Sequence, residues 1–515
     1  MIRTLRNLAR LVTIGRTLAR HGALLADPIR DSSPATAWLV DKLNRRNAPG
    51  RPGERLARAL QELGPSFIKL GQVLSIRADL VGDAVAADLA QLRDRLPPFD
   101  GHQARCIIEA ELGEPLSALF SRFDDQAVAA ASIAQVHFAE TPDGRAVAVK
   151  VLRPGIERAF QRDIDLMRWL ARLFLAFQPR LKRLKPTEVV ETFADTVALE
   201  MDLRMEAAAA AELGGNFDGD ESFGVPPIDW QRTSKRVLTL ARVDGFPVDR
   251  VEEIRAAGID PDLVLRHAAN AFFNQVFRDG FFHADLHPGN LFVDRQGNLV
   301  AVDFGIVGRI DRQTRLYLAD MLIGFLNRDY DLVAKVHFDA GFVPASQDQE
   351  LFKQACRAIG EPLHGKPLAD ISVGRLLAQL FAVTEQFQME TQPQLLLLQK
   401  SMLTAEGVGR SLNPSLNMWE LSRPLIERWM VENRGPEARV AEAAGALAGI
   451  IGRIPTLVRD LERAAGQVAT TGLRLDPETV RLMAEAQRGR GAAVTRPLWV
   501  IAGLLGAILG VLLLG

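Results

Sequence analysis

The chain has 515 residues, 48% of them apolar and 24% charged, with a formal net charge of -1 at pH 7. This is enough apolar material for a core and more than one structural unit, and it excludes a disordered chain. The balanced charge removes the overall basic excess of a nucleic-acid binder. The two cysteines, Cys106 and Cys356, lie far apart without a partnering motif. They exclude a local disulfide framework or thiolate zinc site and read as buried free thiols in a reducing compartment.

The first 26 residues carry Arg3, Arg6, Arg10, Arg16 and Arg20, with no acid before Asp27 and with Ile2, Leu5, Leu8 and Val12 at helical spacing. The pattern predicts a basic amphipathic helix that lies on a membrane or docks on the protein, the alternative being a mitochondrial transit peptide. A Pro/Gly-rich patch, Ala48 to Gly53, reads as a linker. Residues from Glu54 to Leu119 read as helices. The period then changes: Gln135 to Phe138 alternates, Asp143-Gly144 supplies a turn, and Ala146 to Leu152 is a second extended run, so a β-hairpin is expected. From Pro186 one long helix is expected through Ala211, with Thr187 as its N-cap. Arg236 to Val243 is a further strand candidate. A second hairpin pairs Leu291–Val293 with Leu299–Val302 across the turn Asp294 to Asn298.

At the far end, Leu498 to Gly515 is an uncharged run of 18 residues preceded by Arg488, Arg490 and Arg496. At ~1.5 Å per residue it would span ~27 Å, enough for a bilayer's hydrocarbon core, and the arginines would keep the main body on the cytoplasmic side. A hydrophobic helix packed on the body or on another copy is the competing reading. Gly506 and Gly510 have the GxxxG spacing that permits helix pairing, and with it a homodimer.

The most specific signal is His283-Ala284-Asp285-Leu286-His287-Pro288-Gly289-Asn290, followed by Asp303-Phe304-Gly305. Kinase catalytic loops place an aspartate and an asparagine five positions apart, then a metal-binding aspartate in a DFG triplet. Asp285 would orient or deprotonate an attacking hydroxyl or water; Asn290 and Asp303 offer hard oxygen ligands to a magnesium ion bridging ATP phosphates. A zinc cluster of His283, Asp285 and His287 is the rival, and leaves Asn290 and the triplet without a task. Upstream, Lys150 ends Val147-Ala148-Val149-Lys150 on the second hairpin strand, where a kinase lysine contacts nucleotide phosphates. Its acidic partner is expected to be Glu206 on the long helix, with Asp202 four residues earlier on the same face.

These residues resemble the UbiB family of atypical kinases from about Glu54 to Pro414. Its distinguishing motifs stand here as Lys69-Leu70-Gly71-Gln72, Ala129-Ala130-Ala131-Ser132, Glu200-Met201-Asp202 and the HxDxHPGN catalytic loop. The resemblance implies a two-lobed α+β protein-kinase-like fold with a helical N-terminal extension and a C-terminal transmembrane helix. It implies that Ala129, Ala130, Ala131 and Ser132 replace a glycine-rich phosphate loop, that Glu200 and Asp202 join the nucleotide site, and that Lys69 rides on a helix folded over the place where a protein substrate would dock. Alanine restricts the backbone conformations open to glycine, so phosphates should be held differently from an ordinary kinase. Burial of Phe67, Leu70 and Val73 would hold the Lys69 ammonium toward Glu200 and Asp202.

After Asp303 there is no Ala-Pro-Glu, and Thr314 is the only Ser or Thr before Asp329, so an ordinary phosphorylated activation loop is missing. The expected organisation is 1–53 basic amphipathic region and linker, 54–126 helical extension, 127–243 N-lobe, 244–430 C-lobe, 431–495 helical tail and 496–515 anchor. Bacterial members of the family often end in two apolar spans; here only one is clear, with a weaker stretch from Ala441 to Ile451. The function expected from the resemblance is ATP hydrolysis, with ATP and Mg2+, supporting ubiquinone biosynthesis on membrane lipid, polyprenylated precursors and other proteins of that pathway. The location is a bacterial inner membrane, or the matrix side of the mitochondrial inner membrane if the first residues are a transit peptide. A lipid or small-molecule phosphotransferase and an ATP-binding scaffold are the alternatives.

Overall fold

The structure, a computed structural model, describes residues 2–23, 49–76, 81–89, 92, 96–177, 186–363, 383, 384, 386–389, 392–413 and 418–434. Residues Met1–Val431 form one compact unit. The run Leu498 to Gly515, the stretch Ala441 to Ile451 and nearly all of the expected helical tail lie outside the described residues. Among the described residues no helix is long and apolar enough to cross a membrane.

Helix α1 (Ile2–Arg20) is followed, across the linker, by α2 (Pro52–Leu63), α3 (Pro65–Ile76), α4 (Asp83–Leu89) and α5 (Gly101–Leu112). Pro52 opens α2, where its missing N–H costs nothing, and Glu54 accepts from the Arg51 N–H at 3.0 Å. The helix α1 docks, but with its other face. Asn7, Ile14 and Thr17 are buried, whereas Leu8 and Val12 of the apolar stripe are 44% and 51% exposed. Arg10 explains the choice: its guanidinium forks onto both carboxylate oxygens of the buried Asp163 at 2.9 Å. A buried carboxylate demands such a partner, and the requirement outweighs the apolar stripe.

Strands β1 (Arg122–Phe123), β2 (Ala129–Ala130), β3 (Ala134–Glu140) and β4 (Ala146–Leu152) come next, then helices α6 (Ile156–Phe177), α7 (Pro186–Glu200) and α8 (Leu203–Asn216). The short β5 (Phe223–Gly224) joins a later sheet, while β6 (Val237–Ala241) completes the first, in the order β1-β3-β4-β6 with β2 on β3, all antiparallel. The predicted hairpin is β3-β4, turning at Gly144 with φ +84°. Side chains alternate along β4, so Val147, Val149 and Val151 join Ala104 and Ile108 of α5 in one core. Lys150 and Leu152 face the other way, and Leu152 belongs to the core built with α2, α3, α6 and α7. Cys106, two positions from Ala104 on α5, is exposed; only Cys356 is buried, and burial pushes its thiol up to about 12.

The single long helix expected from Pro186 is two. Asp202 leaves the helical conformation at φ -118°, ψ 93° and caps α8, its carboxylate accepting from the Arg204 N–H at 3.2 Å. Thr187 lies inside the first turn of α7 and is not its cap.

The remaining strands are β7 (Phe246–Pro247), β8 (Phe281–His283), β9 (Leu291–Val293), β10 (Leu299–Ala301) and β11 (Val307–Arg309). They form the sheet β5-β10-β9-β7 and the pair β8-β11, among helices α9 (Pro261–Phe273), α10 (Arg312–Leu326), α11 (Tyr330–Asp339), α12 (Gln349–Gly360), α13 (Pro393–Leu412) and α14 (Met418–Arg434). The second predicted hairpin is β9-β10. Between α9 and β8 the chain makes a π-helical turn, Asn274–Asp279, of the kind that collects near functional sites.

Candidate active site

Lys150 and Glu206 are brought together across 56 positions. The ammonium donates to both Glu206 carboxylate oxygens at 2.7 and 3.0 Å and to Asp303 Oδ1 at 3.1 Å. Strand alternation turns Lys150 to this side of the sheet, and Glu206 occupies the buried stripe of α8 with Leu203, Ala207, Ala210 and Leu213. Burial opposes the Lys150 charge, but Asp303 and Glu206 overcome it and hold the ammonium above its ordinary value. Burial likewise pushes Glu206 up against the pull of Lys150. Asp303 goes the other way: against partial desolvation, Lys150, with Lys69 adding to the effect, holds it well below the usual carboxylate range. Asp303 also sits at φ +62°, a left-handed backbone that costs energy in any residue but glycine and that collects at functional sites.

Lys69, on α3, is buried and pairs with Glu200 at the end of α7 at 2.9 Å. Phe67 and Ile68 anchor that helix, and Leu70 and Val73 are half-buried. Asp202 is not placed as expected. The helix break after Glu200 removes it from the Glu206 face, and its carboxylate takes the Arg204 guanidinium at 2.6 Å.

Ala129 and Ala130 pair with β3, and the Ala131 N–H donates to the Ala134 carbonyl at 2.8 Å, making a tight turn around the buried Ser132. Every alanine there keeps negative φ, as side chains require. Arg153 clamps the turn, donating to the Ala131 carbonyl at 2.8 and 3.0 Å and to Pro97 O at 2.9 Å.

In the catalytic loop His283 is a structural bolt. Its Nδ1 accepts from the Asp285 N–H at 3.0 Å and its Nε2 donates to Val302 O at 3.2 Å, while burial keeps the ring neutral. Both ring nitrogens are spent, which removes it as a zinc ligand, and among the described residues no group of three His, Cys, Asp or Glu converges on a metal. Asn290 donates its amide to Asp285 O at 3.0 Å, leaving its side-chain oxygen as an acceptor. An ionised Asp303 and this amide oxygen are two hard donors, a set that suits magnesium completed by phosphates and water. The side chain of Asp303 is 45% exposed and so can be reached from the cleft.

Beyond Phe304 the chain enters β11, paired to β8, and then α10 directly. Thr314 is spent on the cap of that helix, its hydroxyl donating to Asp311 at 2.7 Å. No room is left for a loop that would carry a phosphorylated platform.

Three contributors were missed from sequence. Arg153 had no signal, being one arginine among many. Gln275 in the π-helical turn accepts from the His283 N–H at 2.9 Å. Lys400 on α13 reaches Asp285 Oδ1 at 2.8 Å. Its one available signal was a lone cation within the apolar run from Leu395 to Leu403.

A strand lysine paired with a helix glutamate and a DFG aspartate, together with an Asp–Asn loop, defines a protein-kinase-like protein. Residues 91–337 match the ABC1 atypical kinase-like domain and residues 356–417 the UbiB helical domain. A probable protein kinase UbiB of Marinobacter nauticus is 43% identical over 424 residues, covering 82% of this chain and 78% of that one. Its counterpart in Xanthomonas axonopodis pv. citri is 41% identical over 463 residues, covering 87% and 83%. The solved structure of Rv3197 with erythromycin from Mycobacterium tuberculosis is similar at a TM-score of 0.53 and 25% identity, over 76% of this chain and 98% of that one. The chain belongs to the UbiB family of atypical kinase-like proteins.

Proposed function

We propose that this chain is a magnesium-dependent ATPase that works at a membrane surface in support of ubiquinone biosynthesis. The observation that carries the reading is Lys150, buried against Glu206 and 3.1 Å from Asp303, whose neighbour Val302 donates its N–H to the Asn290 carbonyl at 2.9 Å and so ties the Asp285–Asn290 loop to the same place. Lys150 would bind the nucleotide phosphates, and Asp285 would orient a water and take its proton. Magnesium, held by Asp303 and the Asn290 amide oxygen, would supply charge neutralisation to those phosphates. The turn at Ala129–Ser132 would cover them. Hydrolysis is favoured over protein phosphorylation because the chain runs from the DFG triplet straight into β11 and α10, and because α3 brings Lys69 into the same charge cluster.

The pathway, the polyprenylated precursors and the partner proteins come from family membership. The membrane location rests on the run Leu498 to Gly515, with the catalytic unit on the cytoplasmic face of a bacterial inner membrane. The deciding experiment supplies the full chain with magnesium, labelled ATP, anionic vesicles and a polyprenylphenol mimic, and measures free phosphate and labelled organic product together. Free phosphate alone is expected. Label on the phenol or lipid would make the protein a phosphotransferase, and binding without turnover would make it a scaffold.

A further inference from the structure

The catalytic loop brings a carboxylate to the cleft but no permanent cation. Between His283 and Asn290 the other ionisable groups are two histidines. His283 is buried and neutral, and His287 accepts from the Gly289 N–H through Nδ1 while its Nε2 stays 3.9 Å from Asp285 Oδ2. The cation at Asp285 arrives from outside the kinase-like domain. Lys400, 115 positions away on α13 and within the UbiB helical domain, holds Asp285 Oδ1 at 2.8 Å. α13 is seated by the buried Leu398, Ser401, Val408 and Leu412, and packs on α9, β11 and α3. The Lys400 position is therefore set by a packed helix.

Three lysines serve the site, and they differ in their freedom. Lys150 is committed to Glu206 and Asp303, and Lys69 to Glu200, with both ammonium groups nearly covered. Lys400 is 38% exposed and its partner Asp285 26%, so this pair, unlike the other two, is open to exchange with a ligand. A triphosphate entering a site that already holds Glu206, Asp285 and Asp303 needs additional positive charge near its terminal phosphate. The base also needs its carboxylate released before it can accept a proton.

Resting on the ATPase reading, we propose that Lys400 is a terminal-phosphate-binding residue: it masks Asp285 in the nucleotide-free protein and exchanges to the γ-phosphate when ATP binds. One movement neutralises the phosphate and unmasks the base. In the hydrolysis that follows, the water oxygen bonds to the γ-phosphorus as the bond to the β–γ bridging oxygen breaks. ADP leaves with the bonding electron pair and Asp285 takes the water proton. Lys400 transfers no proton; it stays on the oxygens of the transferred phosphoryl group. The helical domain is on this account a part of the catalytic apparatus and not only a support.

The test compares the full-length wild type with Lys400→Met, which keeps the apolar stem, Lys400→Gln and Lys400→Arg. Affinities are measured with magnesium for ADP and for a non-hydrolysable ATP analogue, beside phosphate release and thermal melting. Loss of one charge-assisted contact made only to the third phosphate should weaken the analogue about tenfold in the Met and Gln variants while ADP changes less than about twofold. The Arg variant should regain most of the analogue's affinity. Equal changes for both nucleotides, or none, in variants that melt like wild type would overturn the assignment. Wild-type protein that binds both nucleotides but releases no phosphate would sink the hydrolysis reading, and the two affinities would still decide the role of Lys400.

Discussion

The two sides of the cleft handle charge in opposite ways. On the N-lobe side, Lys150, Glu206 and Lys69 are each less than a tenth exposed and satisfied by one another or by Glu200. On the C-lobe side, Asp285 and Asp303 keep 26% and 45% of their side chains open, each with one lysine at hydrogen-bond distance. The buried side is a frame whose charges are held because removing either partner strands the other. The open side is where a ligand can replace existing contacts, and Asp303 there holds a left-handed backbone of the kind that collects at functional sites.

That contrast breaks most sharply at Glu206. Glu206→Ala should destabilise the protein by about 3–5 kcal/mol in urea unfolding, because it leaves a buried ammonium with half its partners. The double variant Lys150→Met, Glu206→Leu should lose much less stability than Glu206→Ala, while phosphate release remains abolished. A double variant no more stable than the single would mean that the frame depends on shape and not on charge.

Asp303→Asn should act in the reverse sense, lowering magnesium-dependent turnover by about a hundredfold or more with a modest effect on folding. Its stability effect should also depend on pH. The folded carboxyl lies below its ordinary 3.8, so its contribution is complete above that value and is lost as pH falls below it. The gap between wild type and Asp303→Asn should therefore be constant from pH 5 to pH 7 and narrow toward pH 3, as read from urea midpoints. A gap that widens on acidification would reverse the assigned sign.

Lys69→Ala leaves the partly buried Glu200 without its lysine, at a cost of about 1–3 kcal/mol, and should change ATP turnover or expose autophosphorylation. Indistinguishable ATPase and autophosphorylation profiles, with and without lipid, would detach α3 from the control of the site. The smallest effect on turnover is expected at Arg10→Ala, whose fork to Asp163 lies away from the cleft; its cost in thermal or urea unfolding should be about 1–3 kcal/mol, with Arg162 still 3.5 Å from the buried carboxylate.

The parts of the molecule that obey local rules were legible in the sequence. Strand alternation, the turn at Asp143-Gly144 and the Asp–Asn spacing of the catalytic loop made both hairpins and the Lys150, Asp285, Asn290 and Asp303 positions readable, because period and turn chemistry act over a few residues. The choice of Glu206 could be read too, since a kinase-like strand lysine calls for a carboxylate on a helix that follows it in the chain. The rest depends on which distant group answers a buried charge. The break at Asp202 turned that carboxylate to Arg204; Asp163 drew α1 in by Arg10 and left Leu8 and Val12 outward; and Lys400 reached Asp285 across 115 positions. No local pattern encodes such pairings. A desolvated charge accepts any counter-charge that the packed helices bring within reach, and that reach is set only once the cores have closed.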